Sequence, residues 1–226
     1  MTTSSNTANS YTTVIVTYSQ DFNKLSSLLD SLERFELDKV LVILNDGEQH
    51  FDELTQIVNG RARCIHHNTV ADWSTNTDWK SQQYFKLMVS RLIETDWYIL
   101  VDSDIRFSTL VNSFDEFFVE SRAKYRAVFN DLVDPRHSKK YYYSLGYMQV
   151  TDNGYPVTSD QTPFVMHTQA VKQMLEDRVV NEKLFRTDLV TEFYLYYAYL
   201  LNTRKFHDIY TIDNKFYVDL HDKNPV

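Results

Sequence analysis

Four apolar segments of strand length, separated by segments with helical periodicity, constrain the fold of this chain most strongly. Many of their residues are β-branched or aromatic, which favours strands. The second and fourth segments are continuous apolar runs, typical of parallel strands that are buried on both faces. The four predicted strands are residues 11–18, 39–44, 63–66 and 97–101.

The segments between these strands predict helices. The first has leucines at i, i+3, i+4 and i+7, which are Leu25, Leu28, Leu29 and Leu32. This spacing is typical of an amphipathic helix. The first predicted helix begins at residues 21–23, and two further helices are predicted over residues 51–58 and 80–94. Alternation of strand and helix predicts an α/β fold with a mostly parallel sheet between helices.

Two aspartates follow the fourth strand, in the triplet Asp102-Ser103-Asp104. Strand side chains alternate between faces, so residues two apart lie on the same side. At the carboxyl end of a sheet, where α/β proteins bind ligands, two such carboxylates would repel each other without a cation between them. Mg²⁺ or Mn²⁺ is the natural partner and is usually completed by substrate phosphates. On its own the triplet also allows a phosphoaspartate nucleophile or a plain turn.

The second half of the chain is less regular and predicts a smaller, antiparallel part. Within it, residues 125–130 and 162–167 favour strands, and the tyrosine-rich run 141–150 favours a strand or a hairpin. Helical patterns cover 169–177 and 189–202, and residues 216–221 favour an extended tail. At the other end of the chain, residues 1–10 are rich in Ser, Thr and Asn, and this composition predicts a disordered tail. One domain then follows over 11–226, divided into halves at 11–107 and 108–226.

Composition narrows the functional classes. The net charge of −8 argues against general nucleic-acid binding, which needs a basic surface. A single cysteine excludes an internal disulfide framework and fits a reducing compartment. No apolar run approaches the ~18 residues of a membrane span, and no secretory signal is visible. These features predict a cytoplasmic protein without a transmembrane segment.

Residues 11–107 resemble the GT-A superfamily of glycosyltransferases, which use nucleotide-sugar donors. The first strand ends in Thr17-Tyr18, and the second is followed by Asn45-Asp46. A predicted helix, whose first residues 80–86 contain Gln and Lys, precedes the central strand. That strand ends in the D-x-D motif. The resemblance implies a three-layer GT-A-like architecture, with a nucleotide-binding half at 11–107 and an acceptor side at 108–226.

The resemblance also implies which residues contact the donor. Those after the first two strands line the nucleoside pocket, and those on the helix reach the sugar or the phosphates. The implied donor-binding residues are Thr17, Tyr18, Asn45, Asp46, Lys80, Gln83, Lys86, Asp102 and Ser103.

A divalent metal, Mn²⁺ or Mg²⁺, is implied as a cofactor. Asp104 is its stronger ligand, and Asp102 contacts the ribose or the metal. Many members of the superfamily add a late histidine, for which His221 is the first choice and His167 the second. The metal stabilises the charge that develops on the departing diphosphate. Glu192, at the start of a late helix, or Asp160 is the candidate base for the acceptor hydroxyl.

The resulting prediction is a metal-dependent, hexosyltransferase-like enzyme that transfers a sugar from a nucleoside-diphosphate sugar. Its acceptor is a glycan, a lipid-linked molecule or a protein. One alternative is a protein of the same fold that only binds a sugar nucleotide or a partner. Another is a phosphatase of the haloacid-dehalogenase type, whose D-x-D motif also follows an apolar strand. In that family the motif lies on the first strand, and Arg106 stands here where Thr or Val is usual.

Overall fold

The computed structural model describes residues 9–33, 35, 37–107, 111–128, 135–151, 157–159 and 161–221. Within them, the strands are β1 (Tyr11–Thr17), β2 (Val40–Leu44), β3 (Arg63–His66), β4 (Trp97–Asp102), β5 (Phe118–Val119), β6 (Arg122–Tyr125), β7 (Ala127–Val128), β8 (Val157–Thr158), β9 (Phe164–His167) and β10 (Tyr210–Ile212). The α-helices are α1 (Phe22–Ser31), α2 (Phe51–Val58), α3 (Trp79–Met88), α4 (Pro135–Tyr147), α5 (Thr168–Asp177), α6 (Glu182–Arg186), α7 (Glu192–Asn202), α8 (Phe206–Ile209) and α9 (Asn214–His221).

The central sheet has five strands in the order β3-β2-β1-β4-β9. The first four are parallel, and β9 runs antiparallel to β4. In the register of the sheet, Thr17 lies beside Leu44, and Val16 lies beside Asp102. The chain therefore leaves β1, β2 and β4 at one common edge, which we call the carboxyl edge. This register brings Tyr18, Asn45 and Ser103 to the same place.

Packing of the first half follows the apolar pattern of the sequence. The four leucines of the first amphipathic segment, through Leu32, are fully buried, as are Val42 and Leu100 in the sheet. Full burial of such a side chain contributes about 1.5–3 kcal/mol. The predicted strands and the helices α1 and α2 are confirmed within a residue or two, whereas the helix expected over 80–94 ends at Met88 and continues as a 3₁₀ turn to Leu92.

The second half forms two small sheets beside the central one. One has the order β10-β6-β5, and the other pairs β7 with β8. The expectation of an antiparallel part is confirmed for β5 with β6 and for β7 with β8. It is wrong for β10, which runs parallel to β6.

The tyrosine-rich run expected as a strand or hairpin over 141–150 is helical up to Tyr147, as part of α4. Its buried residues are Tyr141, Ser144, Leu145 and Met148, which recur at i, i+3, i+4 and i+7. This stripe faces α7, where the rings of Tyr141 and Tyr194 lie 5.6 Å apart. Packing against α7 therefore overrides the β propensity of three consecutive tyrosines.

The chain from 216 to 221 was expected to be extended but belongs to helix α9. The Asp213 carboxylate accepts a hydrogen bond from the Phe216 amide at 3.1 Å, which satisfies a free donor at the start of the helix. Phe216 then packs edge-on against Phe117, with ring centres 4.9 Å apart.

Helix α7 is buried on all sides, from Glu192 to Leu201. It packs against α3, α4 and α5. Among the residues described, none of the helices combines the length and apolar character that a bilayer crossing requires. Residues 1–8 of the expected N-terminal tail lie outside the described residues, whereas Ser10 exchanges hydrogen bonds with Asp96 at 2.7 and 2.9 Å.

Candidate active site

A cavity of about 590 Å³ opens at the carboxyl edge of the central sheet. Its walls come from the segments that follow β1, β2 and β4 and from the first turns of α3. The lining residues are Tyr18, Ser19, Gln20, Asp21, Lys24, Asp46, Thr77, Asp78, Trp79, Gln82, Asp102, Ser103 and Asp104. The cavity therefore occupies the position where open α/β sheets bind ligands.

The start of α3 is fixed by a capping box. The Asp78 carboxylate accepts hydrogen bonds from the Lys80 and Ser81 amides, both at 2.9 Å, and the Ser81 hydroxyl accepts one from the Asp78 amide at 2.8 Å. Such a cap satisfies free amide donors at the helix start. It also holds Trp79, which is 48% exposed, at the rim of the cavity.

Asn45 joins the end of β2 to this helix start. Its amide nitrogen donates to the Asp78 carbonyl at 3.3 Å, and its side-chain oxygen accepts from the Ser81 hydroxyl at 2.9 Å. Asn45 is fully buried and does not line the cavity. The structure therefore gives this predicted donor-binding residue a role in holding the cavity wall together.

Thr17 and Tyr18, both predicted to contact the nucleoside, are placed differently. Thr17 is fully buried at the end of β1, whereas Tyr18 lines the cavity and its hydroxyl donates to the Asp78 carbonyl. Burial, with a smaller effect of the Asp78 charge, raises the pKa of Tyr18 well above its usual value. Tyr18 is therefore a neutral hydrogen-bonding group at any physiological pH.

Asp46 lines the cavity as predicted. Its carboxylate accepts hydrogen bonds from the Ser19 hydroxyl at 2.5 Å, the Ser19 amide at 3.2 Å and the Gly47 amide at 2.7 Å. Partial burial opposes ionisation, but these hydrogen bonds outweigh it and hold the pKa of Asp46 below its usual value. Its own carbonyl contacts His66 Nε2 at 2.9 Å, so the loop after β2 is also tied to β3.

Asp102 is held by two neighbours. Lys86 Nζ lies 2.8 Å from its Oδ1, and the Thr162 hydroxyl donates to its Oδ2 at 2.8 Å. Burial raises the pKa of Asp102, but the Lys86 charge and these hydrogen bonds outweigh it, so the pKa lies below its usual value. The side chain remains 36% exposed and forms part of the cavity wall.

Lys86 and Glu192 lie behind Asp102 and do not line the cavity. Lys86 Nζ is 3.2 Å from Glu192 Oε1, and the two side chains are only 5% and 1% exposed. Burial would lower the pKa of Lys86, but the two carboxylates raise it above its usual value. Burial raises the pKa of Glu192, against the opposing effect of Lys86. Neither side chain therefore reaches the cavity, where Lys86 was expected to contact the phosphates and Glu192 the acceptor.

Ser103 and Asp104 complete the D-x-D turn. Ser103 is 7% exposed, and Asp104 is exposed to the cavity. Within the described part of the chain, the Asp104 carboxylate has no hydrogen-bond or ion-pair partner, although its charge acts on Lys24. Asp104 is thus the freest carboxylate at this edge of the sheet.

Helix α3 presents a different residue to the cavity from the one predicted. Gln82 lines it and donates to the Val16 carbonyl at 3.0 Å, whereas Gln83 is 4% exposed and points away. Lys80 is also outside the lining, and its Nζ contacts the Arg186 carbonyl at 3.4 Å. A one-residue step on a helix rotates a side chain by about 100°, which explains the error.

Of the remaining residues predicted in the second half, the structure describes the side chain of His167 but not those of Asp160 and His221. Asp160 lies outside the described residues, and His221 ends α9, with its side chain outside the description. His167 pairs with Trp97 in the sheet register, so it lies at the opposite edge, where its Nδ1 accepts from the Ala170 amide at 3.2 Å. His167 is therefore wrong as a ligand for a metal at Asp104.

A family model matches residues 10–226. The chain belongs to that family, DUF6492. The family is described as one of unknown function. No curated protein matches the sequence.

Solved structures show what the fold of this DUF6492 chain is similar to. TarS 1–349 from S. aureus, in complex with UDP, matches 91% of the chain at 12% identity with a TM-score of 0.52, and the chain spans 58% of that structure's length. Glucosyl-3-phosphoglycerate synthase from Mycobacterium tuberculosis matches 80% of the chain at 10% identity with a TM-score of 0.44, and the match covers 68% of that structure's length. The bifunctional glycosyltransferase WbbM matches 87% of the chain at 16% identity with a TM-score of 0.44, and the match covers 45% of that structure's length. The GT-A-like fold class is confirmed.

The lining of the DUF6492 cavity fits a divalent metal that takes few of its ligands from the protein. Within the described residues, no group of three or more His, Cys, Asp or Glu side chains is placed to hold a metal ion. Among the lining aspartates that the structure describes, Asp104 alone has no hydrogen-bond partner, because the Asp102 and Asp46 oxygens are already hydrogen-bonded. This set fits a cation such as Mg²⁺ or Mn²⁺ that completes its shell with water and substrate phosphates.

Several lining residues were missed from the sequence, chiefly Asp78, Gln82 and Lys24. One signal was available, because Asp78 and Ser81 have the spacing of a capping box before a helix. That spacing places the helix start, and hence the rim of the cavity, at Asp78. For Lys24, no local signal in the sequence shows that the first turn of α1 lies beside the D-x-D motif.

Proposed function

We propose that this protein is a glycosyltransferase that transfers a sugar from a nucleoside-diphosphate sugar to an acceptor hydroxyl, with a divalent cation. The observation that carries the proposal is the exposed Asp104 in a cavity at the carboxyl edge of a GT-A-like sheet. TarS, which shares this fold, holds UDP, and this favours a uridine nucleotide as the first donor to test.

The nucleoside is assigned to the side of the cavity formed by Tyr18, Ser19 and Asp46. Asp46 stays ionised and is held rigidly by Ser19 and Gly47, so it can accept hydrogen bonds from a base or a ribose. Tyr18 adds a flat aromatic face whose hydroxyl is already fixed on Asp78. A rigid pocket of this kind binds without ordering its own side chains.

The diphosphate is assigned to the side formed by Asp104 and Lys24. When bound, a divalent cation neutralises the charge that develops on the departing diphosphate. Asp104 would hold it, because its carboxylate is exposed and unpaired within the described residues. Lys24 Nζ, which lies 2.8 Å from Asp21, adds a positive charge on the same side.

The acceptor is assigned to the open side of the cavity at Trp79. We retain the proposal that it is a glycan, a lipid-linked molecule or a protein. An inverting reaction needs a base near the acceptor hydroxyl, and Glu192 is too deeply buried to serve. Asp160 stays the proposed base, and His221 stays the proposed third metal ligand.

The proposal is tested by calorimetry of UDP with Mn²⁺ and with EDTA, followed by turnover of UDP-sugars. We expect Mn²⁺ to tighten UDP binding at least 30-fold and a UDP-sugar to be consumed. UMP is the matched control, because it lacks the second phosphate and should gain much less from Mn²⁺. Absence of any nucleoside-diphosphate binding, combined with hydrolysis of p-nitrophenyl phosphate, would instead support the phosphatase alternative.

A protein of this fold that binds a sugar nucleotide without turnover is the second candidate function. The burial of Glu192, the expected base, favours it. Tight Mn²⁺-dependent binding of UDP and UDP-sugars, with neither hydrolysis nor transfer over hours, would select this candidate over the enzyme.

A further inference from the structure

Aromatic side chains extend from the rim of the cavity along one flank of α4. Trp79 is exposed at the rim, and Tyr143 on α4 is 38% exposed. Lys140 Nζ lies over the Trp79 ring, 4.4 Å from its centre, which places α4 beside the mouth of the cavity. Lys140, Tyr143 and Tyr147 follow one another at i, i+3 and i+7, so they share one face of the helix.

The contacts continue along this face to the turn after α5. The ring planes of Tyr143 and Tyr147 lie within 16° of parallel, with their centres 6.4 Å apart. The Tyr147 hydroxyl donates to the carbonyl of the exposed Val179 at 2.6 Å. From Lys140 to Tyr147 the helix rises by about 10 Å. We call Trp79, Lys140, Tyr143, Tyr147 and Val179 the aromatic strip.

Packing of the fold does not account for the exposure of these rings. The face of α4 that packs on α7 is a different one, with Tyr141, Leu145 and Met148 buried along it. Within the part of the chain that the structure describes, the Trp79 indole N–H and the Tyr143 hydroxyl have no hydrogen-bond partner. Exposed apolar surface beside a cavity is typical of a binding surface. Tyr and Trp suit such a surface because each combines a rigid ring with a hydrogen-bonding group.

The charges beside the strip favour a polar ligand over a lipid chain. Lys140 Nζ lies 2.9 Å from the Asp188 carboxylate, and the Asp188 side chain is 55% exposed. An alkyl chain on the strip would take this ion pair out of water and offer no hydrogen bond in return, which is costly. A pyranose ring carries C–H groups on its faces, which pack on an aromatic ring. Its hydroxyls lie around its edge, where they can bond to Asp188 and Tyr143.

The shape of the strip favours a chain of sugars over a single sugar or a folded protein. It is one helix stripe wide, whereas a stable protein partner buries about 800 Å² on each side. A single sugar covers one ring, whereas linked sugars contact Tyr143 and Tyr147 together. A chain that follows the strip ends at Trp79, which also lines the cavity.

We propose that the acceptor is a glycan chain and that the aromatic strip binds the sugars behind the unit that receives the donor sugar. The inference rests on the proposed function and narrows its three acceptor classes to one. Trp79 binds the sugar unit nearest to the cavity. Tyr143 and Tyr147 bind the units behind it, and they determine that an extended chain is preferred to a single sugar.

The inference is tested by calorimetry of four hexasaccharides in EDTA without nucleotide, namely cellohexaose, maltohexaose, chitohexaose and mannohexaose. We expect at least one of them to bind, and its monosaccharide to bind at least about tenfold more weakly, because the single sugar loses the linked contacts.

Two tyrosine variants and a matched control test the position of the site. Tyr143→Ala and Tyr147→Ala should each weaken hexasaccharide binding about fivefold, because each removes one ring. Tyr143→Phe keeps the ring and should stay within about twofold. Tyr142→Ala is the control, since Tyr142 is 57% exposed on the same helix but lies on the other flank from Lys140. It should bind like the wild type, and thermal unfolding confirms that each variant is folded.

The inference is overturned if none of the four hexasaccharides binds, or if Tyr143→Ala and Tyr147→Ala bind them as the wild type does. An equal loss in Tyr142→Ala also overturns it. Vesicles of phosphatidylglycerol and carboxymethylated casein serve as lipid and polypeptide probes. If either binds the wild type but not Tyr143→Ala, while no hexasaccharide binds, the strip belongs to that other class of acceptor.

UDP binding in Mn²⁺, measured on the same variants, separates this inference from the proposed function. We expect it to be unchanged in all of them, because the strip lies outside the donor side of the cavity. UDP binding without any hexasaccharide binding overturns the inference alone. Hexasaccharide binding through Tyr143 and Tyr147 without UDP binding overturns the proposed function, and the strip then remains a glycan-binding surface.

Discussion

The two edges of the central sheet differ in the charge of the residues that border them. Among the described residues, the cavity at the carboxyl edge is lined by one cation, Lys24, and by five carboxylates, which are Asp21, Asp46, Asp78, Asp102 and Asp104. At the amino edge a cavity of about 390 Å³ is bordered by Lys39 and Arg63, and Glu94 is the single acid in the part of its lining that the structure describes.

The hydrogen bonds at the two edges differ as well. The amino edge is closed by exposed or half-buried pairs, such as Thr12 with Thr95 at 2.9 Å. At the carboxyl edge, four of the five carboxylates have a hydrogen-bond partner within the described residues, and Asp104 does not. An acidic edge would repel a diphosphate, so the contrast supports the cation that we propose for this site.

The largest expected effect is on nucleotide binding and comes from Asp104→Ala, compared with Glu94→Ala at the amino edge. Loss of the free carboxylate should weaken UDP binding in Mn²⁺ at least 100-fold, about 2.8 kcal/mol, with little change in Tm. Glu94→Ala should leave binding within twofold. Calorimetry measures both, and equal effects at the two edges would remove the contrast between them.

The next effect is on stability and comes from Asn45→Ala, compared with Ser10→Ala. Asn45 is buried, and its truncation removes two hydrogen bonds, one to the Asp78 carbonyl and one from the Ser81 hydroxyl, so we expect a loss of about 1–3 kcal/mol. The Ser10 hydroxyl donates a solvent-exposed hydrogen bond to Asp96, so for Ser10→Ala we expect a loss below about 1 kcal/mol. Urea unfolding at constant m gives both values, and the reverse order would contradict this account of the cavity wall.

The smallest effect is a pH-dependent one at Asp46. Its pKa is lowered in the folded state, so its ionised form contributes stability above the unfolded pKa of about 3.9. That contribution is lost as the pH falls through the lowered pKa. We expect Asp46→Asn to cost about 0.5–1.5 kcal/mol at pH 7 and nothing at the acid end. Ser19→Ala should show the same trend with a smaller amplitude, measured by urea unfolding across pH.

The sequence predicts the first half of the fold well because its signals are local. The leucine spacing of α1 and the apolar runs of β2 and β4 each determine an element without reference to the rest of the chain. The run around Tyr141 could not be assigned in this way, because its tyrosines favour a strand and only packing against α7 selects the helix.

The candidate site was predicted in part, for a related reason. The carboxyl-edge rule places five of the predicted residues in the cavity, because they lie at the end of a strand or within two residues of it. They are Tyr18, Asp46, Asp102, Ser103 and Asp104. The pairing of Lys86 with Glu192 depends on how α3 packs against α7, over a separation of more than a hundred residues. The sequence contains no local pattern that reports such a contact. Whether Gln82 or Gln83 faces the cavity depends on the rotation of α3 about its own axis, which the sequence does not give either.

The complete burial of α7 has a consequence for how the molecule opens. Amide protons exchange with solvent only when their hydrogen bonds are exposed, and elements packed on all sides exchange through the rarest openings. We therefore expect the amides from Tyr196 to Leu201 to be among the slowest to exchange, and those around Asp104 to be among the fastest. Glu192 lies on this slow element and would meet water only when the whole domain unfolds, whereas Asp104 is exposed to the cavity.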